Sequence, residues 1–168
     1  MKKIWYLIFG LFLITACSEN KSVEPKTEVQ NLKIHFHYSF KNELNTFDQT
    51  FQKDLVMDGT IKVPFYLTQE EQNDILNTIT GVDFYSFPDT IRNEPGPDGI
   101  IMTINPDPGR QFIRIEYQGK EKLVNWFCPL PQDNPNGIRL LTLQQKIIEI
   151  IESKPEYQAL PPARGGYL

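Results

Sequence analysis

Histidine and cysteine are almost missing from this chain, with two of each in 168 residues. There is no CxxC pair, zinc-protease helix, nucleophile elbow or glycine-rich phosphate loop. Asp98-Gly99 is not followed by the EF-hand pattern. The common metal, redox, acyl-transfer and nucleotide chemistries therefore have no motif to rest on. No apolar run reaches the roughly 20 residues of a membrane-spanning helix. Positive charge is also short: 17 basic side chains face 21 acidic ones. That balance argues against nucleic acid as a partner.

What is present begins at the amino terminus. Met1-Lys2-Lys3 is a short positive segment, residues 4–14 are apolar apart from Gly10, and Ile14-Thr15-Ala16-Cys17 follows. This pattern resembles the lipobox and signal peptide of bacterial lipoproteins. The resemblance implies a diacylglycerol on the Cys17 thiol, cleavage of residues 1–16 and acylation of the new amine. It places the protein in the cell envelope, held to a membrane by the anchor. Several acyl chains hold firmly where one is marginal, since each buried methylene contributes about 0.8 kcal/mol. In enteric-type sorting an Asp after the cysteine retains a lipoprotein at the inner membrane. Ser18 therefore points to the outer membrane if the host is Gram-negative. Two of the 17 basic residues lie in the leader, which has no acidic ones, so the mature chain carries 15 against 21, a net charge of −6. With Cys17 lipidated, Cys128 has no disulfide partner, and a buried small hydrophobe is its simplest role.

Residues 17–29 are polar and read as a flexible tether. Residues 30–168 form one domain. Its first strand is clear, with Leu32, Ile34, Phe36, Tyr38 and Phe40 alternating with Lys33, His35, His37 and Ser39. Phe47, Phe51, Leu55 and Met57 then alternate with polar residues as far as Asp58-Gly59, and Ile61, Val63, Phe65 and Leu67 alternate beyond it. This predicts a hairpin with a type I′ turn, Gly59 taking positive φ. Pro64 cannot donate to a ladder, so either its strand is an edge or its position faces outward. Thr68-Gln69-Glu70-Glu71 is a capping box opening a helix with Ile75, Leu76, Ile79 and Val82 in its stripe, and Gly81 fits the position just past its end. Residues 88–99 read as a surface loop and 100–104 as a short strand. Two further strands span 113–117 and 123–127, and a second helix covers 138–153. Residues 155–168 read as an extended tail. The expectation is an α+β domain with a mostly antiparallel sheet of five to six strands, order β-β-β-α-β-β-β-α, and two helices on one face.

Candidates for chemistry are few. His35 and His37 leave one strand face about 7 Å apart, a spacing that suits a shared metal. Two solvated histidines on a wet face is the simpler reading, because a third ligand would have to come from Asp48 or Asp54. Those two carboxylates, six residues apart, are roughly 20 Å apart on a strand, too far for a hydrolytic pair. Asp89, Glu94, Asp98, Asp107 and Asp133 sit in loops where acidic residues serve turns more often than calcium. Trp126, Phe127, Phe84, Tyr85 and Phe87 line a ligand pocket or, more simply, build the core. The tail 157–168 is a polyproline-type ligand for a partner, a strap folded back on the domain, or disordered.

These residues imply no cofactor and no catalytic set. The function expected is a non-enzymatic, lipid-anchored interaction module for an envelope protein in the periplasm or at the cell surface. The alternative is a small-ligand- or metal-binding lipoprotein. The anchor is directly testable. The wild-type protein should incorporate labelled palmitate and sediment with membranes, and Cys17→Ser should do neither. Labelling of that variant would contradict the lipobox.

Overall fold

Alternation of apolar and polar residues decides which side of the sheet is buried. The computed structural model describes residues 31–93, 95, 97–101, 103, 105–127, 129–130 and 134–168. Cys17, the leader, the tether, Glu94, Cys128 and Asp133 lie outside them. The chain forms β1 (Lys33–Tyr38), β2 (Asn42–Asn45), β3 (Thr50–Asp54), β4 (Thr60–Pro64) and α1 (Gln69–Gly81), followed by a 3-10 turn (Phe84–Ser86). β5 (Thr90–Ile91), β6 (Arg110–Tyr117), β7 (Lys120–Phe127), α2 (Pro135–Ser153) and α3 (Pro155–Gln158) complete it. The fold is α+β, built on a seven-stranded sheet of order β4-β3-β2-β1-β6-β7-β5. All pairings are antiparallel except β5 with β7.

The register places one apolar row across six strands. Val63 lies opposite Phe51, Phe51 opposite Leu44, Leu44 opposite Phe36, Phe36 opposite Ile113, and Ile113 opposite Val124. This row joins Ile75 and Ile79 of α1 and Leu140, Leu143, Ile147 and Ile151 of α2 in one buried cluster. Both long helices therefore cover the same face. Each fully buried Leu, Ile or Phe contributes about 1.5–3 kcal/mol, so this layer is the main source of stability.

The helices are joined to each other by two cationic side chains. Arg139 of α2 donates to the Val82 carbonyl (Nε, 2.8 Å) and to Ser86 Oγ (3.1 Å), beyond the end of α1. Lys154, at the end of α2, donates to Glu71 Oε2 at 2.7 Å. Glu71 also belongs to the cap of α1, where Thr68 Oγ1 accepts from the Glu71 amide and the Glu71 carboxylate accepts from the Thr68 amide. Burial opposes the charge on Glu71, but its bonds to Lys154 and Thr68 hold it below the usual carboxylate range. Lys154 is only 8% exposed. The pair therefore matters more than an exposed surface bridge, whose median contribution is about 0–1 kcal/mol.

The elements differ from the sequence expectation at definite places. Residues 47–57 are not one strand. Asn45 Oδ1 accepts from the Phe47 amide at 3.0 Å, turning the chain out of β2 before β3 begins. Phe47 consequently leaves the buried row. Its ring lies beneath Lys33 and Arg114, 5.4 and 4.5 Å from the centroid.

The turn between β3 and β4 is a five-residue loop, since Asp54 pairs with Thr60 and the Leu55 amide donates to the Gly59 carbonyl. Gly59 has φ 78°, but the second left-handed residue is Val56 (φ 61°), not Asp58, so the turn is not type I′. Met57 is 78% exposed rather than inward. Gly81 is the last residue of α1 rather than the one beyond it, and the left-handed position falls at Asp83 (φ 49°). Thr90–Ile91 is a strand inside the expected loop, with Ile91 buried against β7. The described residues of 100–104 form no strand, and Ile100 and Ile101 are exposed. Pro64 lies in edge strand β4.

The tail is not extended throughout. Pro155–Gln158 forms one helical turn, and the remainder straps the β3–β4 loop. Arg164 forms a parallel bridge to Val56, its guanidinium grips Asp58 at 2.7 and 2.5 Å, and Tyr167 donates to Asp54 Oδ2 at 2.7 Å. The Tyr167 ring stacks on Phe40 with centroids 3.8 Å apart. These bonds hold a β-branched residue, Val56, in the left-handed region.

Nothing lies within 4 Å of a Cβ built on Gly59, so a side chain there meets backbone strain alone. Gly59→Val should lower stability by about 1–2 kcal/mol, the left-handed cost for an L residue. Val56→Gly, which relieves the same strain, should be no less stable than wild type. Urea unfolding midpoints check both.

Candidate functional site on the uncovered sheet face

Among the described residues, no helix lies over the second face of the sheet. One row across it reads Lys62, Gln52, Glu43, His37, Phe112 and Asn125. The next reads Pro64, Thr50, Asn45, His35, Arg114 and Leu123. These residues reach this face because each strand's apolar set is committed to the other.

Phe112 is the centre of the patch. Its ring meets His35 edge-on at 4.8 Å and lies nearly parallel to His37, 9° apart in plane at 5.7 Å. His35 Nε2 donates to Glu43 Oε1 at 2.9 Å, since a carboxylate only accepts. His37 Nδ1 is buried and has no hydrogen-bond partner among the described residues. Burial lowers the His37 pKa below 6.5; Glu43 opposes that shift and His35 adds to it. Around this centre, Arg114 donates to Glu121 through Nε and Nη2 at 2.9 and 3.0 Å. Lys33 lies 3.8 Å from Glu116. Leu123 is 39% and Phe127 50% exposed on β7, extending the apolar surface toward the edge.

His35 and His37 do share a face, joined by Glu43. Among the described residues, no group of three or more His, Cys, Asp or Glu is placed to hold a metal ion. Asp48 and Asp54 serve elsewhere: Asp48 accepts from Asn45 Nδ2, and Asp54 from the Val56 amide and Tyr167. The loop carboxylates of Asp98 and Asp107 cap the Ile100 and Gly109 amides, and Asp89 pairs with Lys122. Trp126, Phe84 and Phe87 are core, while Phe127 is exposed and Tyr85 is half-buried. Phe112 escaped the sequence reading, although its position between Gln111 and Ile113 in an alternating strand marks it as an aromatic residue on the polar side.

Among the described residues, no helix is long and apolar enough to cross a membrane. No protein-family model, curated protein or solved structure matches the chain.

The histidine environment sets a pH dependence. The unfolded chain binds the His37 proton more tightly than the folded one, so stability rises with pH. The His37 contribution is complete above 6.5 and is lost as pH falls through the lowered folded value. His37→Gln should flatten this part of the melting-temperature profile. A profile as steep as wild type between about pH 7 and pH 5 would contradict this.

Proposed function

We propose that this chain is a lipid-anchored protein of the cell envelope that works without catalysis, presenting its uncovered sheet face to a partner protein. The Cys17 anchor, with the outer membrane as its site in a Gram-negative host, follows from the lipobox resemblance and Ser18. The observation that carries the interaction reading is the face itself. Its centre is aromatic, formed by Phe112 with His35 and His37 against it, and its apolar margin continues through Leu123 and Phe127. Its rim is paired charge, Arg114 with Glu121 and Lys33 with Glu116. An aromatic centre within a polar, arginine-bearing rim is a composition that protein interfaces favour. The occupant this favours is a folded envelope protein with an apolar patch of its own. Anionic lipid is disfavoured by the net charge of −6 on the mature chain, which has 15 basic and 21 acidic side chains.

Photo-crosslinking in intact cells tests this reading. A photoreactive residue at Leu123 should give one discrete adduct with an envelope protein, and the same residue at Glu149 on α2 should not. The adduct should disappear when Phe127→Asp is added. Equal adducts from both positions, or none from Leu123, would contradict the assignment.

A further inference from the structure

On the helix side of the sheet, a cleft of about 570 Å³ lies between α1, the turn at Phe84–Ser86 and the end of β6. Asn73, Leu76, Asn77, Asp83, Tyr85 and Tyr117 are among the residues lining it. Its volume is in the range of small-molecule sites. The Tyr85 hydroxyl is buried without a hydrogen-bond partner among the described residues. Burial, together with the nearby Tyr117 phenol, raises its pKa, which keeps it a protonated donor. The Asn77 side chain is exposed and forms no hydrogen bond among the described residues. Asn73 uses only its carbonyl oxygen, accepting from Gln69 at 3.4 Å. The Asp83 carboxylate lies 3.8 Å from Arg139, which partners its charge.

We propose that this cleft binds a short neutral saccharide. Two carboxamides and a phenol each donate and accept, which matches the hydroxyls of a sugar. The tyrosine rings and Leu76 offer apolar surface to the C–H faces of a sugar ring. Among the described residues no cationic side chain lines the cleft, so phosphate and carboxylate ligands find no counter-charge from them. The Arg139 guanidinium 3.8 Å from the Asp83 carboxylate offsets the attraction that this group has for a polyamine. The Tyr85 hydroxyl has no hydrogen-bond partner among the described residues, so a sugar hydroxyl that reaches it adds a bond without breaking one. This site lies on the opposite side of the sheet from the partner face, and the two assignments stand or fall separately.

The test is a titration of the full chain in detergent micelles with N,N′-diacetylchitobiose and cellobiose. Spermidine and inorganic phosphate serve as comparison probes. At least one disaccharide should give saturable shifts of the Asn73 and Asn77 side-chain resonances, with a dissociation constant of about 1 mM or below. Tyr85→Phe should weaken that binding about tenfold, the loss of one hydrogen bond, without lowering the melting temperature. Asn77→Ala, at an exposed position, provides a second variant with the same expected direction. No saturable shift with either disaccharide, saturation by spermidine or phosphate instead, or wild-type affinity in both variants would overturn the proposal.

Discussion

The sheet has one apolar face, and the rest of the structure follows from that constraint. The row from Val63 through Phe51, Leu44, Phe36 and Ile113 to Val124 must be covered. Period-two alternation allows no strand to change sides without exposing its whole set. Two long helices provide the cover, and both are used on the same side. Arg139 and Lys154 then link them to each other. Removing Glu71 would leave the Lys154 ammonium, 8% exposed, without its partner, a larger loss than cutting an open surface bridge.

The opposite face is left to serve other ends. It is stabilised locally by ring contacts and ion pairs, and it tolerates a nitrogen on His37 that has no partner among the described residues. Such a group costs about 1–3 kcal/mol when fully buried. The strap at Arg164 and Tyr167 fastens a loop whose Val56 would otherwise relax from its left-handed conformation. The described residues thus form a helix layer, a fastened edge and a sheet surface with no helix over it.

Much of this was legible because it is periodic or capped. β1 announces itself through Leu32, Ile34 and Phe36, and the start of α1 through Thr68 and Glu71. The edge position of β4 is one of the two readings that Pro64 allows, and α2 follows from its leucine and isoleucine stripe. What was not legible depends on long-range partners. β2 has one apolar residue, Leu44, and is a strand only because β1 and β3 flank it. Phe47 fits the alternation of β3, yet an Asn45 side-chain turn removes it from that strand. Thr90 and Ile91 are too short a run to register as a strand without β7 beside them. Gly81 matches a helix-end rule, but the chain takes its left-handed turn two residues later, at Asp83. The histidine pair was visible from spacing. Phe112, which gives the pair its environment, needed the β1–β6 register.

One-sided cover is the central claim, and solvent paramagnetic relaxation along β6 tests it most directly. With a soluble gadolinium chelate, side-chain protons of Phe112, Arg114 and Glu116 should relax strongly, and those of Ile113 and Ile115 should be nearly unaffected. Leu123 should relax and Val124 should not. Alternation of this kind across β6 and β7 is the predicted result. Uniform protection of both sets would mean that the second face is covered, and uniform relaxation that the helix layer is not in place; either would contradict the account.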